Sequence, residues 1–501
     1  MTEIQLIGVD IGTTGVKSVL LDAAGRILAE ATVAHDLHSP DVGWAEEDPA
    51  DWISGAFGSL RAITGNPSFQ PAKLAGIGVS GMVPAMVLLD EAGQPVRPSI
   101  QQNDARAYRE AAELSVQLDQ DRLFARTGGF TNLQHIAPRL RWVQRHEPDV
   151  WRQTKTITGS YDLVTAFLTG GPPSACSLEL NWAIESGLFD LITNSWATDL
   201  LEAVDLETTY FPSVHKPSDI VGTVSQKVAA ETGVPAETPV VAGSADHVAS
   251  ALAAGLREDG DTLIKFGGAG DILYCSSTLV THPRLFIDAH DIPGMFLLNG
   301  CMAASGSLVK WLVSDILGKE PNRATLTELD NAASAIPAGS EGVVILPYFL
   351  GEKTPILDPH ARGVIFGLDL SHGPAHLFRA VLEAVIFGFR HHVDVLSEAG
   401  HRPKRYLATN GGVSSPIWRQ IAADALGAEI TSFPGHTGSS LGVAFVAGMA
   451  TGAFSAWSEI DRFLQQRVIN APADGNRDVY DARYATYREL YDALYHLFPR
   501  S

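Results

Sequence analysis

Early in the chain, Asp10-Ile11-Gly12-Thr13-Thr14-Gly15-Val16-Lys17 joins two β-rich runs, Leu6–Val9 and Val16–Asp22. The turn has the chemistry of a triphosphate cradle. Gly12 and Gly15 let backbone N–H groups approach an anion, and Thr13 and Thr14 offer hydroxyl donors. Asp10 has the chemistry to hold a divalent cation, and Lys17 adds positive charge. The spacing departs from the P-loop G-x-x-x-x-G-K-[ST], and a strand follows instead of a helix, so a phosphate-binding hairpin is the functional reading and a plain β-turn the alternative. A second hairpin, Thr262 to Cys275, repeats the outline: a β run, a turn containing Gly267 and Gly268 with Asp271 beyond it, and another β run. Two such hairpins, one opening each half of the chain, suggest a duplicated fold with phosphates clamped between the halves.

The elements that must position these turns are readable nearby. An antiparallel meander is expected through Arg26 to His35, with a turn at Ala23-Ala24-Gly25, followed by a helix starting at Asp48-Pro49, Asp as N-cap and Pro in the first helical position. Leu74 to Ser80 reads as a strand, with another ending at Asp90. Gly76-Ile77-Gly78-Val79-Ser80-Gly81 satisfies the dinucleotide fingerprint G-x-G-x-x-G. Its strand residues lie inside the motif, however, and Pro84 and a further β run follow where a helix is required, which argues against that site. The apolar strand Val240–Gly243 leads to Asp246 and a small-residue helix, Val248 to Gly255; an acidic residue there is by default only an N-cap.

At 501 residues the chain calls for two or more domains, here 1–250 and 251–501, with the boundary between about 245 and 260. A net charge of −21, from 36 basic and 57 acidic residues, argues against nucleic acid or an anionic membrane as partner, but not against an anionic cofactor bound by local glycine turns and Mg²⁺. Cys176, Cys275 and Cys301 have no disulfide or metal spacing, and a reducing cytoplasm suits them. Glu3 precedes the first strand without a basic or apolar leader, and the longest apolar run, Leu441 to Ala450, falls short of the ~18 residues that span a bilayer, so a soluble protein is expected.

Beyond these local signals, the chain resembles the FGGY family of carbohydrate kinases over nearly its whole length. The opening hairpin is similar to the family's first phosphate motif, and Gly43-Trp44-Ala45-Glu46-Glu47-Asp48-Pro49 to its W-x-E-x-D-P element. Gln134 to Pro148 resembles the first family signature, with Arg139 replacing the usual Lys. Gly363-Val364-Ile365-Phe366-Gly367-Leu368 and His376 to Glu383 fit the second signature throughout. Gly351-Glu352-Lys353-Thr354-Pro355, and Asn410-Gly411-Gly412 with Trp418-Arg419-Gln420, resemble further family motifs. The resemblance implies an α/β, two-domain actin-like (ribonuclease H-like) ATPase fold with a cleft between the domains. It implies transfer of the γ-phosphate of ATP to a sugar hydroxyl, with Asp246 as general base, Asp10 orienting Mg²⁺, Gly12, Thr13, Thr14, Lys17, Gly267 and Gly268 at the phosphates, and Gly411 and Gly412 on the adenosine side.

Several residues carry structural readings beside the functional ones. Arg379 and Glu383, four apart on one helix, suit a buried ion pair; Trp44, Trp142 and Trp418 suit core anchors; Gly411-Gly412 suits a strand-to-helix turn. Within the family the chain is most similar to xylulokinases, through Arg97-Pro98-Ser99-Ile100, Asn103-Asp104-Ala105-Arg106 and Trp142 to Pro148. It departs from them on the sugar side: Met82-Val83-Pro84 stands for Gln-Met-His, Gln102 for Trp, and His247 for the Asn after the general base. Met82, Val83, Gln102, Asn103, Asp104, Gln134, His135 and His247 are therefore the specificity candidates. D-xylulose or a related ketopentose is the expected acceptor; another sugar or polyol, a silent sugar sensor and an actin-type chaperone or filament ATPase are the alternatives. A homodimer is left open.

Overall fold

The computed structural model describes residues 4–500, so Glu3 lies outside the described residues. Two compact units are present. The first contains the chain up to Arg257 together with Ile287–Met295 and Thr437–Phe463; the second contains Glu258–Phe286, Phe296–His436 and the chain from Leu464. The expected boundary named a single crossing, whereas two later segments return to the first unit.

In the first unit the sheet runs Ile220–Thr223, Pro239–Val241, Leu74–Gly81, Gln5–Gly12, Gly15–Asp22, Ile27–Ala34, and Ser244–Ala245 also pairs with Leu74–Gly81. Gln5–Gly12, Gly15–Asp22 and Ile27–Ala34 form the antiparallel meander. Leu74–Gly81 joins it in parallel, Pro239–Val241 continues in parallel, and Ile220–Thr223 closes the edge antiparallel. In the second unit, Phe296–Met302, Gly270–Ser276, Asp261–Phe266, Arg405–Thr409, Ile430–Ser432 and Val468–Asn470 follow one another with the same alternation: a meander, two parallel steps and an antiparallel edge. The duplication suggested by the two hairpins is thus a shared sheet topology.

The false dinucleotide fingerprint has a packing explanation. All three of its glycines lie in the strand Leu74–Gly81. A Cβ on Gly78 would sit 2.5 Å from the Val443 carbonyl oxygen, and one on Gly8 of the neighbouring strand would sit 1.8 Å from the Ser440 carbonyl oxygen. The missing side chains seat the helix Ser439–Ala450, which is buried from Ser439 to Gly448, directly on the sheet. Against another side of that helix lies Asp246–Ala253, where a Cβ on Gly442 would come within 1.9 Å of the Ala249 carbonyl oxygen. Those contacts fix the start of Asp246–Ala253 relative to the strand that carries Asp10. Among the described residues, no helix is long and apolar enough to cross a membrane.

Asp48 caps the helix Pro49–Thr64 by accepting from the Ala50 amide at 2.9 Å, with Pro49 in the first turn as expected. In the second unit the long helix Pro374–Glu398 carries the buried pair Arg379–Glu383, Nε to Oε1 at 2.8 Å. Glu383 also accepts from the Gly339 amide, Ser340 Oγ and Tyr480 OH, and Arg379 donates to the Ala333 and Ile336 carbonyls and to Tyr480 OH. Tyr480, Tyr484 and Tyr487, on one face of Arg477–Leu494, ring Phe387 of the same long helix. This is the structural reading of Arg379 and Glu383: the pair knits two helices and a loop. Glu383→Ala would leave a buried guanidinium without its counter-charge, and the expected loss is about 3–5 kcal/mol in denaturant unfolding of the second unit.

Candidate active site

In the first unit the opening hairpin pairs Gly12 with Gly15, leaving Thr13 and Thr14 exposed at its tip. A Cβ on Gly15 would meet the Val33 carbonyl oxygen at 2.8 Å, so close approach of the third strand requires glycine there. Asp10 and Lys17 face one another across the two strands, and Lys17 Nζ lies 3.3 Å from Glu30. Asp10 accepts from Ser80 Oγ at 2.8 Å. Burial and then the negative charge of Asp246 push its carboxyl up to about 6, against hydrogen bonds from Ser439 and Ser80 and the charge of Lys17. Asp10 and Asp246, far apart in sequence, are therefore electrostatic neighbours. Asp246 is the first residue of its helix, capped by no side chain, and His247 beside it places Nδ1 3.6 Å from Asp246 Oδ1 and Nε2 2.9 Å from Asp288.

Except for His247, the specificity candidates lie on loops gathered by one buried cation. Arg139, wholly buried in the helix Ile136–His146, donates to the carbonyls of Pro84 at 2.8 Å, Gln102 at 2.9 Å and Leu133 at 3.2 Å. It thereby ties together the loops that carry Met82 and Val83, Gln102 and Asn103, and Gln134 and His135. Burial lowers its own pKa to about 10, with Asp104 and Glu185 opposing and Arg106 assisting. Met82 and Val83 are buried, and Met82 Sδ accepts from Thr13 Oγ1 at 3.3 Å. Asn103 is exposed and Gln102 half-buried.

Asp104 has a different surrounding from its neighbours. Both of its oxygens accept from Arg106, and Oδ2 accepts from the Ala45 amide at 2.6 Å. Arg106 in turn reaches Glu46 at 2.7 Å and lies 3.8 Å from the Trp44 ring centroid, while Trp44 packs edge-on against Trp142. The Asp104 carboxylate is thus committed to bracing its loop against the W-x-E-x-D-P element. The Gln134 backbone N–H donates to Asn132 Oδ1, and the His135 ring packs on Gly187, where a Cβ would approach Nδ1 to 2.3 Å. Burial, then the charge of Arg139, lowers His135 to about 4, so its ring is neutral at physiological pH.

The second unit holds a cavity of about 1130 Å³ lined by Gly267 and Gly268 of the second hairpin, Asn410-Gly411-Gly412, Trp418, Lys310 and Asp330. Three of these glycine positions differ in kind. A Cβ on Gly412 would meet Phe266 Cβ at 2.6 Å and Trp418 Cζ3 at 2.7 Å, so the loop needs glycine in order to pack. Cβ atoms on Gly268 or Gly411 would meet nothing within 4 Å and would project into open space. Trp418 is buried, with Nε1 donating to the Leu382 carbonyl at 3.1 Å, which is the anchoring role expected of it. The Gly268 carbonyl accepts from the Ser305 and Ser307 amides, fixing the turn on the start of Gly306–Trp311.

Some participants were missed. Ser80 and Ser439 at Asp10, Glu185, Asp288 and Asp291 around His247, and Asp330 in the cavity belong to no local pattern. Arg139 did carry a signal, since a basic residue inside the buried run Ile136–Val143 needs acceptors supplied from outside its helix.

The N-terminal domain of the FGGY family of carbohydrate kinases matches residues 5–253 and its C-terminal domain residues 276–451. The chain is 31% identical to a xylulose kinase of Escherichia coli strain K12, covering 97% of this chain and 99% of that protein. It is 30% identical to a xylulose kinase of Klebsiella pneumoniae, covering 98% of both. The crystal structure of a xylulose kinase from Rhodospirillum rubrum superposes with a TM-score of 0.92 at 41% identity, covering 99% of each chain.

The contrast between the cavity glycines is testable. Gly268→Ala is expected to melt with the parent protein but to raise KM for ATP about tenfold or more, as a methyl enters the space beside the turn. Gly412→Ala is expected instead to lose about 1–3 kcal/mol in thermal or denaturant unfolding, through overpacking against Phe266 and Trp418.

Proposed function

The chain belongs to the FGGY family of carbohydrate kinases, ATP-dependent phosphotransferases with an alcohol group as acceptor, and we propose that its acceptor is D-xylulose or a closely related ketopentose. The likeness to xylulose kinases over nearly the full length supports that choice of sugar. One observation carries the assignment of roles: Asp246 opens its helix with its side chain partly exposed, near enough to Asp10 for its charge to raise that carboxyl.

In this reading Asp246 accepts the proton of the attacking hydroxyl as its oxygen bonds to the γ-phosphorus and the bond to the β-bridging oxygen breaks. Asp10 is the residue for the divalent ion, Mg²⁺. The fit is electrostatic: two neighbouring carboxylates carry more negative charge than Lys17, already beside Glu30, offsets. The ion would neutralise charge building on the phosphate oxygens. Gly12, Thr13, Thr14 and Lys17 of the opening hairpin, and Gly267 and Gly268 of the second, are assigned to phosphate; Asn410, Gly411 and Gly412 are assigned to the adenosine side. Met82, Val83, Gln102, Asn103, Gln134, His135 and His247 define the sugar side, with Asp104 holding the Asn103 loop in place.

The test is ADP release from ATP and Mg²⁺ across ketopentoses, aldopentoses, deoxy-sugars, hexuloses, polyols and aldonates, run beside Asp246→Ala. A ketopentose is expected to give the highest kcat/KM. The variant is expected to lose about 10²–10⁴-fold in kcat while still binding ATP. A different preferred sugar would replace the substrate assignment, and an Asp246→Ala enzyme with the parent kcat would remove Asp246 as the base.

A further inference from the structure

His247, assigned above to the sugar side, is also the partly exposed end of a chain of polar groups, Asp288 and Glu185 among them, that the assigned roles do not use. Its Nε2 lies 2.9 Å from Asp288 Oδ2, and its Nδ1 lies 3.6 Å from Asp246 Oδ1. Asp288 is 1% exposed and arrives on Ile287–Met295, a short segment that belongs to the first unit although the chain on both sides of it belongs to the second. Asn181 holds that segment in place: its Oδ1 accepts from the Ala289 amide at 2.8 Å and its Nδ2 donates to the Ala289 carbonyl at 3.0 Å. One turn further along the helix Leu180–Glu185, Glu185 brings its carboxyl to the same place, so that ligating atoms of Glu185, His247 and Asp288 all lie within 4.8 Å of one another.

The charges in this cluster sort themselves. Burial, reinforced by Asp288, pushes Glu185 up to about 8, so that it is protonated at neutral pH and can donate to Asp288. Burial likewise carries Asp291 to about 7, against the neighbouring Ser244 hydroxyl and the charge of His247. Burial alone would lower the His247 ring, but Asp288 and Asp246 on its two sides raise it well above the ordinary value. The ring is therefore an imidazolium with both N–H groups committed, one toward each aspartate. That arrangement spends Nε2 on Asp288, which disfavours reading the three groups as a metal site.

We propose that His247 is a positioning residue for Asp246: clamped by Asp288, which Asn181 and Glu185 hold in place, its ring fixes the orientation of the carboxylate that receives the proton of the acceptor hydroxyl. The inference rests on the reading of Asp246 as the base. The physical gain is preorganisation. A cation held rigidly beside one oxygen of the carboxylate favours a single rotamer before substrate arrives. The amide of an asparagine, shorter and uncharged, can supply one such hydrogen bond without the Asp288 clamp.

The experiment compares His247→Ala, His247→Asn, Asp288→Asn and Asp246→Asn by kcat, KM for sugar, KM for ATP and thermal melting, using the acceptor that the sugar panel identifies. His247→Ala is expected to lower kcat about 10²-fold with KM for ATP unchanged, the size of effect that misorientation of a reacting group produces. His247→Asn is expected to recover most of that loss, and Asp288→Asn to fall between the two. Parent-like kcat in a folded His247→Ala enzyme would overturn the proposal. So would a His247→Asn enzyme no faster than His247→Ala, because the effect would then be structural. Should Asp246→Asn retain activity, the assignment of the base fails and this inference with it; should Asp246→Asn be inactive while His247→Ala is normal, only the positioning role fails.

Discussion

A guanidinium sealed from water has to find acceptors, and three loops of the first unit are organised by the way Arg139 finds them. Among the described residues no carboxylate meets it at hydrogen-bond distance; Nη1 and Nη2 donate to the backbone carbonyls of Pro84, Gln102 and Leu133, while Nε finds no partner. Carbonyl acceptors do not neutralise the charge, and burial accordingly draws the Arg139 pKa down to about 10. In exchange the three loops gain a common origin. Loops between secondary-structure elements otherwise carry the mobility of a surface, and a site that distinguishes one polyol from another needs its polar groups held to within fractions of an ångström. A lysine, with one compact ammonium, could not span three carbonyls in a fixed plane as a guanidinium does.

The other constraint is steric. Gly8 and Gly78 let the helix Ser439–Ala450 lie on the sheet backbone, and Gly442 lets Asp246–Ala253 lie on that helix. The position of Asp246 relative to Asp10 is set by this backbone-on-backbone packing together with the pairing of Ser244–Ala245 to Ser80 and Gly81, which lie beside the strand of Asp10. Ser439, at the head of the same helix, contributes a hydrogen bond to Asp10. A segment distant in sequence is in this way both the spacer and part of the lining of the acidic pair.

Much of this was legible in the sequence, and the reason differs by element. The two hairpins and the Asp48-Pro49 helix start were readable because turn and cap chemistry is local, and the long family motifs were readable because they are long. The G-x-G-x-x-G decoy was rejected on strand pattern alone, but its packing purpose was invisible, because the helix seated on it lies more than three hundred residues away. Asp104 looked like a sugar ligand because a polar loop residue beside Asn103 has no visible partner in one dimension; its partners are Arg106, two residues on, and the Ala45 amide. Asp288 and Asp291 were unreadable for a related reason. They lie on a nine-residue return of the chain to the first unit, and no periodicity or composition marks such a return.

The distribution of committed charge also argues for the kind of acceptor. The first unit gathers Asp10, Asp246, Asp288 and Asp291, and its nearby cations are each engaged: Lys17 with Glu30, Arg106 with Asp104 and Glu46, Arg139 with three carbonyls, His247 between two aspartates. A substrate carrying its own carboxylate would enter this field against like charge, and Arg106 or Arg139 turning to meet it would abandon buried partners, a cost of several kcal/mol, whereas Lys17 would leave only an exposed glutamate. A neutral polyol meets no such penalty, because its hydroxyls both donate to carboxylates and accept from amides. The electrostatics of the first unit therefore favour an uncharged sugar over an aldonate, independently of any likeness to known kinases.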